Sequence, residues 1–295
     1  MLVSHTTETL MQTREVQNTP ARPGCLVKTR DGTQLYWTQW GPARGSTVLF
    51  LNSAGMPIQM WDYQIAAFAE QGYRCIGVDR RGHGRSDQAA SGYDIDTFAD
   101  DLATFIETLD LHGLTIISHS MGGSELVRYL SRHGSARVAR IVLLSPTTPF
   151  LLKTPDNPEG IPEEVFAAMR DSWRKDYVRW IDDNTDPFFV PATSPGMKRW
   201  LVAMLAQWPV RFALACNESM TRTDFRGDLR NISIPALVVH GDRDVSAPLA
   251  LTGIPTAALI PGSRLEVYEG APHGLMYTHM DRLHADILRF IEDTQ

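Results

Sequence analysis

The sequence is poor in cysteine, has no long apolar run and carries no excess of positive charge, and each shortage excludes a class of protein. Its three cysteines, Cys25, Cys75 and Cys216, are odd in number and far apart, with no CxxC pair. They offer neither a disulfide framework nor a cysteine zinc site, and they fit a reducing cytoplasm. No stretch reaches the roughly 18 apolar residues a membrane-spanning helix needs, so no membrane association is expected. The formal net charge is −6 with acidic and basic residues intermixed, which leaves no basic stripe for a phosphate backbone and excludes nucleic acid as a partner. No HExxH or paired metal-ligand spacing occurs, so metal-assisted hydrolysis is disfavoured and no metal or cofactor is expected. There is no internal repeat and no low-complexity tract.

The opening residues, MLVSHTTETLMQTREVQNTPARPG, lack the basic start and apolar middle of a secretion signal and close on Pro20, Pro23 and Gly24. Residues 1–24 read as a disordered leader. Beyond them, 295 residues in all with 43% hydrophobic content suffice for one large domain with an insertion, or for two small ones. TVLFLN, RCIGVD, LTIIS, RIVLLS and ALVVHG are short continuous apolar runs of the kind found in strands covered on both faces. Between them lie stretches of helical period, such as Phe98, Leu102, Phe105, Ile106 and Leu109, and the last helix repeats the pattern with Leu283, Ile287, Phe290 and Ile291. The alternation predicts an α/β fold with a mostly parallel sheet and helices on both faces. From about Thr147 to Arg230 the rhythm breaks. PEEVFAAMRDSWRKDYVRWI, GMKRWLVAMLAQW and VRFALACNESMT are helix-like and rich in Trp, Phe and Met. The expected organisation is a core of residues 25–146 and 231–295 with a helical cap, 147–230, inserted in it.

Within ISHSMGG, Ser120 follows an apolar strand and precedes the helix-like GGSELVRYLSRHG. A nucleophile on such a strand-to-helix turn needs a strained backbone that crowds the residues two before and two after, and Ser118 and Gly122 are both small. The turn sets the hydroxyl at a helix N-terminus, where the Met121 N–H can serve a developing oxyanion. The motif is short, and a chance string in a Gly/Ser turn is its bland reading. A serine also needs a base and an orienting carboxylate, in the chain order serine, acid, histidine. VVHGDRDVSAP supplies Asp242 and Asp244 after one strand, and YEGAPHG supplies His273 in a Pro/Gly loop after the next. Asp244 is preferred because Asp242 directly follows the Gly241 turn, where a capping role fits better. His119 reads as packing, and His279 and His284 as surface residues.

These motifs resemble the α/β-hydrolases of the cofactor-free (non-haem) haloperoxidase and arylesterase subfamily. The resemblance runs from about Val27 to the C-terminus through DRRGHGRSD, SHSMGG, HGDRD, GAPHGLMYTH and, more specific to the subfamily, KTPDNPEGIP at residues 153–162. It implies an eight-stranded, mostly parallel sheet, a triad of Ser120, Asp244 and His273, and a helical cap over the pocket. It further implies hydrolysis of small or aryl carboxylic esters through an acyl-enzyme, with perhydrolase or haloperoxidase side activity and no cofactor. Relatives carry His-Gly-aromatic-Pro after the first buried strand, where this chain has Asn52, Ser53, Ala54 and Gly55. Ala54 N–H then becomes the second oxyanion donor, and a roomier or differently shaped pocket is expected. The missing proline at Gly55 puts perhydrolysis in doubt. NSAG followed by MWD also resembles the loop of 3-oxoadipate enol-lactonases, which makes a lactone the alternative substrate. Gly55, Trp173, Trp180, Phe188, Phe189, Trp200 and Met204 are candidate pocket residues, although aromatics at helical spacing commonly form cap core. Exposed aromatics on a cap would also point to a homo-oligomer. Readings from other classes are a non-catalytic small-molecule binding protein on this fold and a cofactorless dioxygenase. Ser120 at the elbow excludes an aspartate-nucleophile dehalogenase.

Overall fold

The computed structural model describes residues 25–294; the expected leader, residues 1–24, lies outside them. Among the described residues eight strands form one sheet: β1 (Cys25–Lys28), β2 (Gln34–Trp40), β3 (Thr47–Leu51), β4 (Arg74–Val78), β5 (Leu114–His119), β6 (Val138–Leu144), β7 (Ala236–Gly241) and β8 (Arg264–Tyr268). Their order is β1-β2-β4-β3-β5-β6-β7-β8. β1, β2 and β4 pair antiparallel, and every pairing from β4 through to β8 is parallel. The fold is that of the α/β-hydrolases.

Side-chain alternation along the buried strands divides the core in two. Leu49, Leu51, Ile116, Ile141, Leu143 and Val238 face one side. There they meet α2 (Ile95–Thr108) and α3 (Met121–His133), whose Phe98, Leu102, Phe105, Leu126 and Leu130 belong to the same cluster. Val48, Phe50, Ile117, Val142, Leu144 and Val239 face the other side with Phe68 of α1 (Asp62–Glu70) and Leu283, Ile287, Phe290 and Ile291 of the last helix. Burial on both faces explains why these strands read as continuous apolar runs rather than as alternating ones. α2 begins where Asp94 accepts the Thr97 N–H at 2.8 Å, satisfying one of the orphan donors of its first turn.

Between β6 and β7 the chain passes through α4 (Glu163–Asp183), a 3-10 turn at Asp186–Phe188, α5 (Pro195–Leu205), α6 (Val210–Arg222) and α7 (Arg226–Arg230). KTPDNPEGIP folds back on itself, with Lys153 N–H donating to Ile161 O and Ile161 N–H to Leu151 O. After β7 come α8 (Gly253–Leu259), α9 (Leu275–Thr278) and α10 (Met280–Asp293). His279 and His284 are half-buried rather than on the surface, because His284 packs on Phe68 and His279 on Tyr268. The aromatics of this helical segment do not form an exposed face. Trp173 and Phe189 are buried, and Trp180, Phe188 and Trp200 are half-buried. That corrects the basis for expecting a homo-oligomer. No helix among the described residues is long and apolar enough to cross a membrane.

Candidate active site

Ser120 stands between β5 and α3 with φ 54 and ψ −121, a conformation that costs a non-glycine residue on the order of 1–3 kcal/mol and persists only where its surroundings enforce it. Here they do. Ser120 N–H donates to Leu144 O of β6 at 3.0 Å, and Gly123 N–H closes back on Ser120 O at 2.9 Å. Ser118, two residues before, is buried and bonds Val142 O at 3.2 Å. At Gly122, two residues after, a Cβ would lie 2.8 Å from the carbonyl oxygens of Leu51 and Asn52, so no larger residue fits without moving the end of β3.

β7 and β8 deliver the other two side chains on the loops at their carboxyl ends. His273 Nδ1–H donates to Asp244 Oδ2 at 2.7 Å, which leaves Nε2 as the lone-pair nitrogen. Both residues are buried, at 4% and 5% exposure, which shields their interaction from solvent. Burial works to raise the Asp244 carboxyl, but the neighbouring His273 charge, the bonds from His240 and His273 and the Ala247 N–H outweigh it. The carboxyl is held below the usual range. Asp242 instead accepts the Gly270 N–H at 2.7 Å, tying the β7 loop to the β8 loop. His119 packs its ring 4.5 Å from the His273 ring and donates from Nε2 to His273 O at 3.0 Å, so the residue next to Ser120 is seated on the histidine loop. Burial and the His273 charge push His119 well below the ordinary histidine value, which keeps it neutral. No hydrogen bond from Ser120 Oγ to His273 is found among the described residues, and this link commonly tightens only when substrate arrives.

Ala54 and Met121 N–H donate to no protein acceptor among the described residues. The loop that carries Ala54 is braced from below by DRRGHGRSD. Asp79 accepts the Ile58 N–H at 2.6 Å and the Arg85 N–H at 2.9 Å. Arg80 donates to Asn52 O at 3.0 Å and pairs with the buried Glu125 of α3. Arg81 forks onto Asp101 of α2 at 2.6 and 2.8 Å. Gly55 has φ 73, which a proline ring cannot adopt. A Cβ there would lie 2.5 Å from Leu205 and from Trp208. The helical segment therefore packs directly against Gly55.

Phe188 alone of the candidate pocket aromatics has its ring against His273, 5.5 Å from the imidazole ring, with its carbonyl accepting the Gly274 N–H at 3.1 Å. Phe189 packs tilted and Trp200 edge-on against Tyr277, and Met204 lies buried in the same core cluster. Trp173 and Trp180 make their ring contacts with each other and with Tyr177. Sequence reasoning passed over Trp208, which walls Gly55, and His240, whose Nε2 lies 3.2 Å from Asp244 Oδ2. His240 stands in the same HGDRD string that gives Asp244, so its place in that motif was the available signal; nothing in the sequence pointed to Trp208. Among the described residues no group of three or more His, Cys, Asp or Glu could hold a metal ion.

A family model described as the alpha/beta hydrolase fold matches residues 46–280. The chain belongs to the α/β-hydrolase family. It is 39% identical to the non-heme chloroperoxidase CPO-A1 of Kitasatospora aureofaciens, over 90% of this chain and 98% of that one. It is 32% identical to a bifunctional esterase/perhydrolase of Acinetobacter calcoaceticus over the same shares. Among solved structures, the bromoperoxidase from Bacillus anthracis superposes with a TM-score of 0.87 at 31% identity, covering 92% of this chain and 100% of the other. The hydrolase is thus similar to the non-haem haloperoxidases over most of its length, as the motifs imply.

Proposed function

We propose that this hydrolase cleaves small or aryl carboxylic esters through a covalent acyl-serine, with residues 147–230 forming the cap over the pocket. The observation that carries the reading is the buried Asp244–His273 bond on a loop seated against His119, the residue next to a serine held at φ 54. His273 Nε2 takes the Ser120 proton as the hydroxyl attacks the ester carbonyl, and Asp244 holds the imidazole in the required tautomer. Ala54 and Met121 N–H groups receive the negative charge that develops on the carbonyl oxygen. His273 then protonates the departing alcohol, and water repeats the sequence to free the acid. Aromatic contact from Phe188 on His273 places an apolar wall at the reacting centre.

Ser120→Ala is expected to fold, with near-ultraviolet circular dichroism unchanged, and to lose about 10⁴-fold or more in kcat on an aryl acetate. A burst of chromophore from wild-type protein would mark the acyl-serine. Full turnover by Ser120→Ala, or stoichiometric binding without turnover by wild type, would end this reading in favour of another nucleophile or a binding protein. A lactone is the second reading, supported by the loop Asn52–Gly55, whose positive φ at Gly55 rules out the proline of the resembled haloperoxidases. Comparing kcat/KM for aryl esters, γ- and δ-lactones, and acetate with peroxide ranks the three activities. Burial pushes the thiols of Cys75 and Cys216 up to about 12, which disfavours the reactive thiolate at both.

A further inference from the structure

His240 is the last residue but one of β7, four residues before Asp244, and its side chain, like that of Asp244, is wholly buried. The proposed chemistry gives it no task. Its Nε2 lies 2.7 Å from Ala247 O and 3.2 Å from Asp244 Oδ2. A carbonyl can only accept, so Nε2 carries the proton and shares it between the two oxygens. Nδ1 is then bare and buried without a partner. The donors around Asp244 complete the account. Oδ1 accepts the N–H groups of Ser246 at 2.9 Å and Ala247 at 2.8 Å, and Oδ2 accepts His273 Nδ1–H and His240 Nε2–H. A carboxylate offers about four lone-pair positions, and all are taken.

We propose that His240 is a positioning residue: the fourth donor on Asp244, which fixes the rotamer of the carboxylate and draws off part of the charge it presents to His273. The inference rests on the triad reading above. Pure packing would need only an apolar group of similar volume at the end of β7, whereas here one N–H is divided between a backbone carbonyl and the carboxylate. The titratable groups that feel one another in this cluster are His119 from the elbow, His240 from β7, Asp244 and His273. Asp244 is the one carboxylate hydrogen-bonded to His273 among the described residues, at 2.7 Å. Withdrawing the His240 donor strengthens the charge of that carboxylate, favours the protonated imidazole and delays the appearance of the free base as pH rises.

The test compares His240→Gln, whose amide nitrogen can reach the place of Nε2, with His240→Asn, which is one methylene shorter and cannot. Both keep a buried amide, so their difference isolates the donor. The acid limb of kcat/KM against pH on an aryl ester should stay at its wild-type position in His240→Gln and move up by about 0.5–1 pH unit in His240→Asn, with kcat falling more than KM changes. The downfield proton resonance of His273 Nδ1–H, recorded by NMR in the Ser120→Ala background, should shift in the Asn variant and not in the Gln variant. Because that resonance reports the Asp244 link without turnover, failure of the inference and failure of the triad show up separately. An acid limb and resonance unmoved in His240→Asn, or equal disturbance by Asn and Gln, would reduce His240 to packing.

Discussion

Asp244 and Asp242 share one loop and one residue type, yet only the first reaches an imidazole, because after Gly241 the loop aims Asp242 at the Gly270 backbone and Asp244 inward. Asp244→Asn should therefore fold normally and lose about 10³- to 10⁴-fold in kcat, since an amide stabilises neither the required tautomer nor the imidazolium. Steady-state kinetics beside a thermal melt checks this. Asp79 makes a prediction about pH. Burial pushes its carboxyl from 3.8 up to about 6, against the N–H groups of Arg85 and Ile58 that pull it down. A folded value above the unfolded one means that the contribution is fully present below 3.8 and is lost as pH rises through about 6. Across that window wild-type stability should fall relative to Asp79→Asn by on the order of 2–3 kcal/mol, read from urea unfolding at successive pH values.

At the scale of elements, the strand–turn–helix of β5, Ser120 and α3 works because β3 ends directly beneath it. Gly122→Ala would press a methyl group on the Leu51 and Asn52 carbonyls, which are backbone and cannot rotate away. The expected cost is about 1–3 kcal/mol of stability, together with a fall in kcat as the loop bearing Ala54 shifts. Thermal unfolding and kinetics on the same preparation read both. The elbow was legible in the sequence because its demand for small residues is local, acting two positions either side of Ser120. The contribution of Trp208 was not, since it reaches Gly55 across more than 150 residues of chain. The surface reading of His279 and His284 erred for a related reason: a helix pattern shows which side is apolar but not how far a neighbour such as Phe68 extends over its rim.

For the whole molecule, the Arg80–Glu125 pair links the turn after β4 to α3, and Arg80 also holds the Asn52 carbonyl after β3. Both side chains are nearly fully buried, so removing one partner strands a charge. Glu125→Ala should lose about 3–5 kcal/mol in denaturant unfolding. The double variant Arg80→Met with Glu125→Met should recover much of that stability but not kcat, because nothing then steadies the Asn52 carbonyl below Ala54.

Composition, apolar runs and three short strings determined much by themselves: an α/β sheet buried on both faces, a serine elbow, and an acid and a histidine on successive late loops. These are properties of local spacing, which any chain displays in its order of residues. Only the tertiary structure decided which aspartate meets His273, that His240 joins them, and that Leu205 and Trp208 close the space beside Gly55. Those contacts depend on the direction in which side chains leave strands and loops remote from one another in sequence, and that direction is set by packing rather than by spacing.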